Sequence, residues 1–317
     1  MDKPMNHSHP HTHSHHHHHA PAGKNAGLRL GISLGLTFVF VFVEVVAGLW
    51  SNSLALLTDA AHNFTDVVAL GLSWYALRIA TRPAHAGKTF GYHRSGILVA
   101  LFNAASLVLI SFGIFSEAWQ RIQTPPEVES GILIGVGLLA FIINLLTAWL
   151  VKEGSENDLN MRSAFLHLMG DVLSTLGAVA AGVVILFTGW NWLDPLVSVL
   201  IGVLILWNAW GILRQAINIL LESAPGDIDM ETMLTDLKTV PGVEGVHDLH
   251  VWSLTENMRM LSAHIVTNDQ PISAGAALQQ TINQMLSERY KIVHATLQLE
   301  CACCQSGSLY CKMGHAD

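Results

Sequence analysis

Charge is what this sequence has least of. Only 13% of its 317 residues are Asp, Glu, Lys or Arg, against about 25% in ordinary soluble domains, while 51% are hydrophobic. That shortage excludes an ordinary water-soluble globule and points to a chain that lives in a bilayer. Basic residues are outnumbered 16 to 24, and the net charge of −8 argues against nucleic acid as a partner. Cysteine is missing until the end. Cys301, Cys303, Cys304 and Cys311 are bunched in residues 301–317, too close together to staple a fold. Metal binding or a reducing compartment is therefore expected in place of a disulfide framework. No cleavable signal peptide is expected, because residues 1–25 are polar and His-rich and the first apolar run is too long for a signal segment. The His-Glu-x-x-His signature of zinc peptidases is absent as well.

What is present is length and oil. Six apolar stretches of roughly membrane length, about 20 residues each, stand near 28–50, 54–80, 96–119, 131–151, 160–188 and 194–221. Ser53 is a natural cap for the second, and Asp194 followed by Pro195 reads as the start of the sixth. Trp50, Trp119, Trp190 and Trp192 fall where one interfacial aromatic belt belongs. Six spans put both termini on one side. The segments sharing that side hold Lys3, Lys24, Arg82, Lys88, Arg94 and Lys152, whereas the opposite loops hold only Arg121. The bias of basic residues makes that side cytoplasmic.

Beyond Glu222 the pattern changes to helix, strand, strand, helix, strand. "GVEGVHDLHVW", "MRMLSAHIV" and "ATLQLE" read as strands, and "AGAALQQTINQMLSERY" has helical period. The expected organisation is a His-rich disordered tail over 1–26, a membrane region over 27–221, an α+β domain over 222–300 and a Cys-rich tail over 301–317.

Two apolar segments contain the polar residues a bilayer penalises most. "LTDAAHNFTDVVAL" holds His62 and Asp66, and "FLHLMGDVLSTLGAV" holds His167 and Asp171, at the same four-residue spacing. Positions i and i+4 share a helix face. Two such helices facing each other would gather two imidazoles and two carboxylates, a set suited to tetrahedral Zn²⁺. Imidazole favours zinc and its neighbours over Mg²⁺, Ca²⁺ or Mn²⁺. One buried His–Asp pair could equally be an interhelical strut, worth about 0.6 kcal/mol. Two pairs at identical spacing favour function, the default reading for ionisable groups inside a membrane. Asp59, one turn before His62, is expected to support the site or pack helices rather than ligate. Glu44, Asn103 and Asn144 would line a polar path or bond neighbouring helices.

"SNSLALLTDAAHNFTD", "FGYHRSGILVALFNA", "NMRSAFLHLMGDVLSTLGAV" and "VHDLHVWSL…LSAHIV…HATLQLE" together resemble the cation diffusion facilitators, zinc-exporting transporters that include bacterial cobalt–zinc–cadmium exporters and vertebrate zinc transporters. The resemblance covers about residues 25–304. It implies a six-helix transmembrane bundle with a cytoplasmic α+β, ferredoxin- or metallochaperone-like C-terminal domain, assembled as a homodimer. It implies that His62, Asp66, His167 and Asp171 form the transport site. It also makes His247, His264, His294 and Glu300 metal ligands of the cytoplasmic domain, with Gln298 standing where several relatives have a further ligand. His247 and His250 have opposite parity in a regular strand, so His247 is taken as the ligand and His250 as a structural or interface residue. His93, in "GYHRSG", matches an interfacial metal position in some relatives or meets lipid headgroups. Cys303, Cys304 and Cys311 form either a soft-metal arm or a frayed tail of free thiols. The tract "HSHPHTHSHHHHH" is compositionally metal-binding.

The implied activity is export of Zn²⁺, with Cd²⁺ or Co²⁺ as further cargo, in exchange for protons across a lipid bilayer. His must be neutral and Asp ionised to bind metal, so loading displaces protons. A membrane zinc metalloenzyme or a zinc sensor built on the same cluster are the alternatives, although four protein ligands leave no obvious open position for catalysis. The short loop 152–159, without a His-rich insertion, favours a bacterial inner membrane.

Overall fold

The structure, a computed structural model, describes residues 24–155 and 159–301. Six long helices come first: α1 (Lys24–Ser51), α2 (Leu54–Ala80), α3 (Ser95–Gln123), α4 (Ser130–Ser155), α5 (Leu159–Thr188) and α6 (Leu193–Leu220). Four stretches, Ser95–Gln123, Ser130–Trp149, His167–Thr188 and Leu193–Leu220, are long and apolar enough to cross a membrane. The chain is an integral membrane protein. The expected six spans are not all met among the described residues. Within α1 the described apolar stretch is Gly35–Ser51, and α2 carries Asp59, His62, Asp66 and Arg78, which dilute its hydropathy.

Each membrane helix buries one stripe and shows the rest to lipid. In α3 the buried residues are Ile97, Ala104, Leu107, Ser111, Ile114 and Ala118, spaced by three, four or seven. Phe102, Leu109, Phe112 and Trp119 point outward. A surface of that kind would aggregate in water and is at home only in hydrocarbon. The helices pack chiefly as α4 with α5 and α3 with α6, while α2 and α5 touch over a short stretch.

One end of the bundle is latched by a buried carboxylate. Asp194 does not cap its own helix but reaches the start of α2, where Oδ2 accepts from Leu54 N at 2.6 Å and Oδ1 from Ala55 N at 3.3 Å. Ser53 Oγ donates to Asp194 Oδ1 at 2.5 Å and accepts from Leu56 N at 3.3 Å. The positive end of α2 is thus met by a negative group from across the bundle. The α1–α2 corner turns through Asn52 at φ 55, a left-handed conformation that asparagine tolerates. Arg121 Nη1 donates to the Asn52 carbonyl at 2.6 Å, and Glu129 N donates to Ser51 O at 3.0 Å.

The tail domain comprises α7 (Met230–Thr239), β1 (Gly245–Thr255), β2 (Met258–Val266), α8 (Ile272–Tyr290) and β3 (Ile292–Glu300). Strand order is β1-β2-β3, with β1 antiparallel and β3 parallel to β2. The parallel pair needs a crossover, which α8 supplies. Leu237, Leu249, Leu261, Ile265, Ile282 and Leu286 form the core between the sheet and the helices. Asp229 caps α7, and its hydrogen bonds to Thr232 and to the Thr232 and Glu231 amides hold its carboxyl below the usual range. Arg94 on the membrane region meets Glu222, just past α6, at 2.9 Å.

Replacing Asp194 with Ala orphans two buried amides and a hydroxyl, and removal of a charged acceptor should cost about 2–4 kcal/mol. Ser53→Ala loses a helix cap worth about 1 kcal/mol. Thermal unfolding in detergent micelles should rank the two variants in that order. Equal effects would show that the carboxylate is not the latch.

Candidate metal centres

The two His-x-x-x-Asp pairs do face each other. His62 and Asp66 lie one turn apart on α2, His167 and Asp171 one turn apart on α5, and the helices meet at this level. His62 Nε2 is 3.5 Å from Asp66 Oδ2 and 3.5 Å from Asp171 Oδ1. His167 Nε2 is 2.9 Å from Asp66 Oδ2 and 3.9 Å from Asp171 Oδ2. The two rings stand edge to face with centroids 5.4 Å apart. Tetrahedral zinc with arms of about 2.0–2.1 Å needs neighbouring ligand atoms about 3.3–3.4 Å apart. The observed separations straddle that value. Ligand atoms of His62, Asp66 and His167 all fall within 4.8 Å of one another.

The set is graded in depth. His62 and Asp171 side chains are 11% and 9% exposed, Asp66 is 25% and His167 43%. The Asp66–His167 edge is thus the more exposed and the His62–Asp171 edge the more buried. His62 Nδ1 is buried without a hydrogen-bond partner. Two carboxylates and two imidazoles match the charge and the donor preference of a divalent borderline ion.

A second cluster forms on the open face of the tail sheet. His247 Nε2 lies 3.1 Å from Glu300 Oε2, and His264 Nδ1 lies 2.8 Å from Glu300 Oε1. The rings are 5.0 Å apart. Gln298, expected as a replacement for a ligand, donates to Glu300 Oε1 at 2.8 Å and orients it. Burial pushes the Glu300 carboxyl up, but the hydrogen bonds from His247 and Gln298 win and hold it below the ordinary glutamate range.

Two expectations need correction here. His294 does not join this cluster. It pairs with Met260 at the far end of β3, six residues and about 20 Å of strand from Glu300, with its ring against Phe90 at 6.4 Å. Nor do His247 and His250 lie on opposite faces. His247 pairs with His264 and His250 with Ser262, so β1 carries one extra residue between them. Asp248, at φ 50, sits in that bulge. The bulge resets the alternation and returns both imidazoles to one face. Asp248 joins them, 3.1 Å from His250 Nε2 and 3.8 Å from His264 Nε2. Sequence reasoning missed Asp248, since nothing in "VHDLH" announces the bulge.

His93 is half-buried on the α2–α3 loop. With Lys88, Arg94, His250, Trp252 and Met260 it lines a cavity of about 810 Å³ between that loop and the sheet. Among the described residues it belongs to neither metal cluster. Cys301 is exposed. Cys303, Cys304, Cys311 and the His tract lie outside the described residues.

Because the Glu300 carboxyl is held low, it adds stability above the ordinary glutamate value of 4.5, lost as pH falls through the lowered value. Metal-free protein carrying Glu300→Gln should lack that part of the acid-induced loss in tail-domain melting temperature. An unchanged acid limb would mean the His247 and Gln298 bonds are too weak to matter.

Comparison with known proteins places the chain. Residues 30–221 match the family profile "Cation efflux transmembrane domain", and residues 225–302 match "Cation efflux protein, cytoplasmic domain". The metal cation efflux system protein CzcD of Cupriavidus metallidurans is 40% identical over 262 residues, covering 83% of each chain. The zinc transporter ZitB of Escherichia coli is 38% identical over 273 residues, covering 86% of each. The cadmium, cobalt and zinc/H(+)-K(+) antiporter of Bacillus subtilis is 37% identical, covering 81% of this chain and 83% of its own. A solved metal-bound C-terminal domain of the CzcD transporter from Cuprividus metallidurans is 32% identical, covering 23% of this chain and 99% of that one, with a TM-score of 0.21. These relatives are cation efflux transporters and not enzymes. A profile spanning most of the membrane region, a second spanning the tail and relatives aligned over four-fifths of the chain lead to one conclusion: the chain belongs to the cation efflux family, the cation diffusion facilitators.

Proposed function

We propose that this chain exports Zn²⁺ from the cytoplasm in exchange for protons, through a cage of His62, Asp66, His167 and Asp171. The observation that carries this reading is the gathering of His62, Asp66 and His167 ligand atoms within 4.8 Å of one another between two membrane helices, with Asp171 alongside at 3.5 Å from His62. The named zinc, cadmium and cobalt transporters among the relatives support it. Cd²⁺ and Co²⁺ are further cargo.

The chemistry couples the two flows. In the empty cage the imidazoles and carboxylates can hold protons, and a dication displaces them because only neutral His and ionised Asp ligate. Two carboxylates neutralise the dication, which hydrocarbon could not hold otherwise. The arrangement with six spans and both termini cytoplasmic puts the Leu54 end of α2 outside, as the basic residues of the loops favour. In that orientation the exposed Asp66–His167 edge faces the cytoplasm and the Asp194 latch seals the outer end. The described conformation is then the loading one, and rocking the helices about the cage gives alternating access. His247, His264 and Glu300 hold a second zinc in the cytoplasmic domain of a homodimer, a reading supported by the dimerising domain profile. The setting is a bacterial inner membrane.

Asp66→Ala and Asp171→Ala should each abolish uptake of radioactive zinc into everted vesicles while the protein remains in the membrane. Loss of one anionic ligand leaves the dication poorly neutralised in low dielectric. Near-normal flux in either variant would remove the cage from the mechanism. His62→Asp and His167→Asp should keep flux but shift competition toward cadmium and manganese, because each trades a nitrogen donor for oxygen. Unchanged selectivity in both would assign the choice of ion to helix packing.

A further inference from the structure

Beside the cage lies a polar group that metal ligation leaves unused. Glu44 of α1 is 0% exposed and Asp59 of α2 is 4% exposed. One amide bridges them: Asn63 Nδ2 donates to Glu44 Oε2 at 3.3 Å and to Asp59 Oδ2 at 3.4 Å. Glu44 Oε1 is buried with no hydrogen-bond partner.

The surroundings offer these acids little relief. On α2 the nearest basic group is His62, already committed to Asp66 and Asp171. From α5 come Asp171 and His167, which serve the cage. Helix α4, also packed on α1, has no titratable residue between Ser130 and Lys152. Helix α3 brings Glu117 and Arg121, paired with each other at 2.8 Å, and α6 brings Asp194, engaged at the start of α2. Two buried carboxylates drawn onto one amide nitrogen in a water-excluded layer do not both stay ionised, and the pair holds a proton. The donors are carboxylate oxygens and an amide, with no imidazole or thiolate, a poor home for a second zinc.

We infer that Glu44 and Asp59, bridged by Asn63, form a proton-holding pair separate from the metal ligands, which gives up its proton when the cage loads and regains one when the cage empties. This rests on the transport reading above. Asp59 lies one turn before His62, on the more buried side of the cage, away from the exposed Asp66–His167 edge. The step balances: the protonated pair plus an aqueous dication gives the doubly ionised pair, the dication in the cage and one free proton. The incoming charge repels the proton; Asp66 and Asp171 neutralise the ion itself, and the ionised pair is held by the Asn63 amide that donates to both. On emptying, the pair is rejoined by a proton from solution.

The test compares wild type, Glu44→Gln and Asp59→Asn as purified full-length protein, titrated with zinc in weakly buffered detergent solution carrying a pH indicator. Both variants should bind zinc but release about one proton fewer per zinc than wild type. Protons from the tail cluster are common to all three. In proteoliposomes both variants should show a shallower dependence of zinc flux on pH. Wild-type proton release in both variants would overturn the pair. If a variant fails to fold, infrared spectra of wild type decide: a protonated-carboxyl band should be present without zinc and diminish on its addition. No such band, or one indifferent to zinc, overturns the inference. A wild type that binds and moves no zinc would overturn the transport reading and this inference together, whereas coupled transport with unchanged variants overturns only the pair.

Discussion

A dication cannot enter hydrocarbon unless its charge is met at every moment, and the rest of this structure answers that constraint. Neutralisation needs two carboxylates, and two carboxylates at membrane depth are themselves intolerable when the metal leaves. The chain resolves the conflict by pairing each with an imidazole four residues away on the same helix. Each His–Asp pair can hold either a share of the metal or a proton. His167 also reaches across to Asp66 at 2.9 Å, so the two pairs are joined between the helices as well as within them. With the pairs spread over two helices, an ion held in the proposed cage would bridge α2 and α5, which touch over a short stretch.

The tail cluster solves an easier problem with similar parts. His247, His264 and Glu300 stand at the edge of a folded core, 5% to 29% exposed at the imidazoles, where water shares the burden of charge. One carboxylate therefore suffices to draw two imidazoles together, and Gln298 orients that carboxylate with a hydrogen bond. The same cluster depends on strand register. A shift of one residue between β1 and β2 would send His247 and His264 to opposite faces, so the sheet core of Leu249, Leu261 and Ile265 is what fixes the site.

Much of this was legible from residues because its causes are local. Hydropathy located the helices within a few residues, and the i, i+4 rule put His62 with Asp66 and His167 with Asp171 on common faces. Strand alternation correctly turned His264 and Glu300 away from the buried Leu261 and Leu297. What stayed hidden had tertiary causes. Asp194 beside Pro195 looks like the cap of its own helix, yet its partners are Ser53, Leu54 and Ala55 on another. The bulge at Asp248 depends on a left-handed residue no local pattern requires. His294 has the right parity for the cluster and the wrong distance, because alternation tells which face a residue takes and nothing of how far along it stands.

The two ends of the bundle differ in how firmly they are tied, and that difference suggests where motion begins. At the α1–α2 corner a buried carboxylate accepts three hydrogen bonds, and a charge-assisted bond in a dry site is worth about 1.5–3 kcal/mol. At the other end Arg94 and Glu222, 32% and 61% exposed, form an ion pair in contact with water, where such pairs contribute about 0–1 kcal/mol. The soft end is the one nearer the exposed Asp66–His167 edge of the proposed cage. Separation there breaks the exposed Arg94–Glu222 pair and the half-buried bond from Ser95 Oγ to Ala76 O at 3.1 Å, while the latched end stays shut. Closing the soft end and opening the other must break the Asp194 contacts or carry α2 and α6 together as one body. The second route leaves three buried bonds intact and is the cheaper. It requires α5, which carries His167 and Asp171, to move against α2 and α6 about a bound ion that keeps both His–Asp pairs in register.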